Sequence, residues 1–85
     1  MDIFKEVDKQ ENVNCAKRIR AIRKAFHMTQ KEIGQIIHVS QRTVSAYELE
    51  VIRIPIEALI ILAEYFDIDM NYICGLSKKR SAFPR

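Results

Sequence analysis

Gln41, Arg42, Thr43 and Ser45 are polar, close in sequence and free of interleaved acid. Side chains of these types can recognise the edges of nucleic-acid bases. Gln41 can form a bidentate pair with adenine N6 and N7, Arg42 with guanine O6 and N7, and the Thr43 methyl can meet a thymine methyl. Ala46 offers only a methyl group to the same surface. Gln30 could bond a phosphate together with backbone N–H groups at a helix start beginning at Thr29. Arg20, Arg23 and Arg53 are candidates for further phosphate contacts, which position a protein without reading sequence. The plainer reading of each residue is an ordinary exposed helix position.

These side chains can act together only if one element presents them. The stretch 28–48, MTQKEIGQIIHVSQRTVSAYE, predicts two short helices joined by a tight turn. Thr29 can cap the first, with Glu32 three residues later closing a capping box, and Ile33, Ile36 and Ile37 follow at helical spacing. Ser40 can cap the second, whose apolar residues are Val44 and Tyr47. Ile33, Ile37, Val39, Val44 and Tyr47 share one core only if the helices cross steeply, as in a helix-turn-helix. With Val44 and Tyr47 inward, Arg42, Ser45, Ala46 and Leu49 point outward, and Gln41 and Thr43 flank the helix start. Gly34 falls where the helices approach most closely. His38 occupies a turn that calls for positive φ, at a cost of about 1 kcal/mol.

The remaining chain reads as support. With 85 residues, a 48% apolar fraction, two glycines, two prolines and no strand-like alternation, the chain predicts one small all-α domain. Residues 1–13 form an arm with a weak apolar set, Ile3, Phe4 and Val7. Residues 14–76 form the domain and 77–85 a basic, mobile tail. Asn12 or Asn14 can cap a helix carrying Cys15 or Ala16, Ile19, Ile22 and Phe26 on one face and bases on the other. The loop LEVIRI (49–54) is unusually apolar. Pro55 then suits the first turn of a helix from Ile56 to Phe66 with the stripe Ile56, Leu59, Ile60, Ala63 and Phe66. Ile61 and Tyr65 form a second patch. Either the last helix, capped by Asp69, folds back over that patch, or part of it is a homodimer contact. Gly75 ends the last helix.

The net charge of +3 is unevenly spread. Residues 17–53 hold eight bases against three acids, whereas 54–74 hold Glu57, Glu64, Asp67 and Asp69 and no base. Positive charge thus accompanies the helix pair, an asymmetry that a polyanion could use. Enzyme signatures are absent: there is no phosphate-binding glycine loop, partnered nucleophile or paired carboxylate. Neither a cofactor nor a small-molecule ligand is implied. His27 and His38 supply too few ligands for a metal. Cys15 and Cys74 lack metal or redox spacing, and Cys15 reads as a small buried hydrophobe. No signal peptide or membrane span is evident, so a cytoplasmic protein with reduced thiols is expected.

The segments RIRAIRKAFHMTQKEIGQIIHVSQRTVSAYE and IPIEALIILAEYFDIDMNYICGL resemble the Cro and phage-repressor type, or xenobiotic-response-element family. The resemblance covers roughly residues 16–76: the TQ start, Gly34, the VS turn, Tyr47 and Glu48, the IP before a long helix, and the YICGL ending. It implies a compact five-helix, lambda-repressor-like DNA-binding domain. It matches Gln30 to a phosphate-contacting glutamine, and Gln41, Arg42, Thr43, Ser45 and Ala46 to reading positions. It further implies a transcriptional regulator, a repressor by expectation, dimeric on a palindromic double-stranded DNA operator. Such a protein would be nucleoid-associated and bacterial or phage-encoded. His38 and Glu50 stand where the family usually has glycine, and Glu50 also puts an acid near the expected phosphate path. The competing expectation is a protein-interaction module, antitoxin-like or anti-repressor-like, using Ile61, Tyr65 and the LEVIRI loop.

Overall fold

The computed structural model describes residues 14–84, so the expected arm at 1–13 lies outside the described residues. Five helices follow in order: α1 (Cys15–Ala25), α2 (Gln30–Ile37), α3 (Gln41–Glu48), α4 (Ile56–Phe66) and α5 (Met70–Ile73). No strand occurs among the described residues, as the composition predicts.

The first three helices start where side chains can satisfy free N–H groups. The Asn14 side chain accepts from Lys17 N, Thr29 and Glu32 form the expected capping box, and Ser40 accepts from Thr43 N. The helix ends share a device as well. His27, His38, Glu50, Asp67 and Gly75 all have positive φ, between 56° and 76°. Each time the following amide reaches back five residues: Met28 to Arg23, Val39 to Gly34, Val51 to Ala46, Ile68 to Ala63 and Leu76 to Asn71. That is the Schellman arrangement, and only Gly75 adopts it without a side chain's steric cost. Gly34 is required for a different reason. A Cβ there would lie 2.5 Å from the Val39 carbonyl oxygen, so the close approach is to the turn backbone itself.

All five helices contribute to one core built on Ile19, Ile22, Ile33, Val44, Leu62, Ile68, Tyr72 and Ile73. Each large side chain fully buried there contributes roughly 1.5–3 kcal/mol. Phe26, at the edge, stacks on Phe66 with ring centroids 4.8 Å apart.

Four expectations change. On α4 the buried face is Ala58, Leu59, Leu62 and Ala63, while Ile56 and Ile60 are exposed. The stripe is turned by roughly 70° from the expected one, at 100° per residue. The small Ala58 and Ala63 bring α4 close to its neighbours, and the bulkier isoleucines face outward. Nor does α5 cover the second patch: Ile61 and Tyr65 keep 40% and 58% of their surface. Arg18, expected on the basic outer face of α1, is 1% exposed, with its guanidinium 4.2 Å above the Tyr72 ring. Its Nε and Nη1 have no hydrogen-bond acceptor among the described residues. The face of the Tyr72 ring offers it cation–π attraction, which desolvation strengthens.

The fourth change concerns the tail. Asp69 N donates to Ser81 O at 2.8 Å, Ser81 N to Asp69 Oδ1 at 3.3 Å, and Phe83 N to Asp67 Oδ1 at 3.3 Å. Phe83 packs against the core. The tail therefore returns to the α4–α5 junction instead of trailing away. Asp69 still occupies the cap position of α5, but its carboxylate serves the tail and not the helix.

Candidate nucleic-acid interface

The turn between α2 and α3 is set by local chemistry. Glu32 N donates to Thr29 Oγ1 at 3.1 Å and Thr29 N to Glu32 Oε1 at 2.9 Å. Thr43 N donates to Ser40 Oγ at 3.1 Å, and the two hydroxyls lie 3.0 Å apart. These caps place Gln30 and Gln41 at the first positions of their helices. Gln41 and Arg42 are exposed, while Thr43, Ser45 and Ala46 are half-buried at the flanks. Thr29 and Ser40 are exposed beside them.

A chain of hydrogen bonds joins this surface to the core. Glu48 lies at the inward end of α3 and is 7% exposed. Arg23 grips it with Nε to Oε2 at 2.6 Å and Nη2 to Oε1 at 3.0 Å, and Arg23 Nη1 reaches Met28 O at 2.9 Å. Gln30 Nε2 donates to the same Glu48 Oε1 at 3.1 Å, and Gln41 Nε2 donates to Gln30 Oε1 at 2.9 Å. The carboxylate thus fixes Gln30, whose amide then orients Gln41. A bidentate arginine–carboxylate pair has both the strength and the planarity for such an anchor.

The three candidate arginines separate accordingly. Arg23 has its fork committed to Glu48 and Met28, so its place is under the surface. Arg20 is exposed, with Nε 3.9 Å from Glu48 Oε1. Arg53 is exposed in the loop before α4. Sequence reasoning missed Glu48 as the organising residue. The available signal was an acid one position after inward Tyr47 and four after inward Val44, which calls for a base from elsewhere in the chain. Glu50, the other acid at this end, accepts from Asn14 Nδ2 at 2.7 Å, so it also ties α1 to the loop following α3.

The helix-turn-helix family model matches residues 19–73, which span the core from α1 to α5. The chain belongs to the helix-turn-helix family. It is also similar to the uncharacterized HTH-type transcriptional regulator YobD of Bacillus subtilis (strain 168), at 33% identity over 60 residues. That similarity takes in 71% of this chain, and the chain spans about half (54%) of the relative's length. No solved structure matches the chain significantly. The resemblance to Cro and phage-repressor regulators read from the sequence is borne out at the level of family. Within this helix-turn-helix domain, α2 and α3 form the motif; Thr29, Ser40, Gln41 and Arg42 are exposed on it, whereas Arg20 lies on α1, Arg23 beneath the surface and Arg53 in the loop before α4. No helix among the described residues is long and apolar enough to cross a membrane.

Proposed function

We propose that this helix-turn-helix protein is a sequence-specific DNA-binding transcriptional regulator, a repressor, that reads the major groove with the start of α3. The DNA-binding unit is residues 14–76. The observation that carries this reading is the chain from Glu48 through Gln30 to Gln41. Having given one amide hydrogen to Gln30, Gln41 retains one amide hydrogen and its carbonyl oxygen. Those are the donor and acceptor that adenine N7 and N6 require. Arg42 beside it addresses guanine, Thr43, Ser45 and Ala46 line the flank, and Gln30, Thr29, Ser40, Arg20 and Arg53 meet phosphates. Arg23 acts through Glu48. The protein works in the cytoplasm as a homodimer on a palindrome, with half-sites about 34–36 Å apart.

Selection of bound duplexes from a randomised pool at two salt concentrations tests this. An enriched palindrome whose affinity falls steeply with salt supports it. Binding without sequence preference removes the reading role of α3. A second reading, a protein-interaction module, draws on the exposure of Ile61 and Tyr65 and of Leu49, Val51 and Ile52 in the apolar loop. That reading requires no DNA selectivity at all.

A further inference from the structure

Cys15 opens α1 and Cys74 follows the last residue of α5, 59 positions later. Nothing in their spacing joins them, yet α1 packs on α5 and brings the Cys15 side chain to the backbone of Cys74. The Cys15 thiol donates to the Cys74 carbonyl oxygen at 3.9 Å. Both residues are half-buried, so a small oxidant can reach them while bulk solvent is limited. Burial, and then the neighbouring thiol, push Cys74 up to about 11 from 9.0. That shift away from the thiolate makes Cys74 a poor first nucleophile toward an oxidant.

We propose that Cys15 and Cys74 are an oxidation-sensitive pair whose intramolecular disulfide staples the start of α1 to the end of α5. The oxidant is a hydroperoxide. With hydrogen peroxide, the Cys15 sulfur attacks one peroxide oxygen, the O–O bond breaks, and the departing hydroxide takes a proton to leave as water. The Cys74 sulfur then displaces hydroxide from the Cys15 sulfenic acid, forming the S–S bond and releasing a second water. Two thiols lose two hydrogens and two electrons in all, and one peroxide becomes two waters. The ring so closed contains all five helices. A cross-link around so long a loop restricts the unfolded chain strongly, and a rise in Tm of about 20 °C follows for a domain of this size. Neither cysteine belongs to α2 or α3, so the staple acts on persistence of the fold and leaves the start of α3 as it is.

The test treats the full chain with hydrogen peroxide, quenches it, digests it without reductant and maps the peptides by mass. The expected result is a peptide joining Cys15 to Cys74, with the mass of two hydrogens lost, together with a raised Tm that dithiothreitol reverses. Cys15→Ser and Cys74→Ser each abolish the joined peptide and the rise. If the wild-type chain shows only intermolecular disulfides, sulfinic acid on one cysteine, or unmodified thiols, the proposal is overturned. Should a serine variant fail to fold, the wild-type peptide map still decides.

Discussion

The two halves of the molecule share one core but differ in how their helix starts are bonded. In α1 to α3, side chains cap every helix start, and the Arg23–Glu48–Gln30–Gln41 chain runs from the core to the surface. In α4 and α5 neither Pro55 nor Asp69 gives its helix a side-chain cap bond. Leu59, Leu62, Ala63, Ile68, Tyr72 and Ile73 supply the cohesion there. The difference teaches what each half must do. A surface whose side chains have to be aimed needs directional bonds, since hydrophobic burial fixes volume and not direction. A supporting half needs only well-fitted volume.

Substitution can break or sharpen that contrast. The largest effect is expected from Glu48→Ala, which strands the Arg23 guanidinium and releases Gln30. Denaturant titration should show a loss of about 3–5 kcal/mol. Leu62→Ala in the other half should cost about 2–5 kcal/mol through its cavity alone. A loss below about 1 kcal/mol for Glu48→Ala would mean that burial, and not the polar chain, holds both halves. Gly34→Ala comes next. Its Cβ would meet the Val39 carbonyl, and repositioning the turn should cost about 1–3 kcal/mol in the same assay. Arg42→Ala should leave stability within about 0.5 kcal/mol while weakening binding to the selected duplex by about 1–3 kcal/mol. Equal binding by the variant would remove base reading from this position. The smallest effect is His38→Gly. It relieves a left-handed side chain but frees the unfolded chain, a net gain of about 0.5 kcal/mol, seen as a Tm about 3 °C higher.

The residues legible in the sequence are those whose partners lie a few positions away. Thr29 with Glu32, the Ser40 cap and the left-handed His38 follow from local backbone geometry and were readable, as was the need for a small residue at Gly34, though not its approach to the Val39 carbonyl. The hidden features pair residues far apart. Arg23 finds Glu48 across 25 positions and Cys15 finds Cys74 across 59. Arg18 shares the inward face with Ile22, yet its charge marks it as a surface residue until Tyr72 is seen beneath it. The α4 face was misplaced for a related reason. Six-carbon aliphatics occur all round that helix, so periodicity alone could not say that Ile56 and Ile60 give way to Ala58 and Leu62.

The return of the tail also bears on how the domain opens. The amides of Asp69, Ser81 and Phe83 are hydrogen-bonded between the α4–α5 junction and the last described turn of chain. In hydrogen-exchange measurements they should be protected together and lose that protection together, as one cooperative unit. The amides of Thr29, Glu32 and Thr43, bonded in caps, should exchange separately from them. Separate exchange of the two sets would make residues 77–84 a latch, whose lifting loosens the apolar half while the start of α3 keeps its aim.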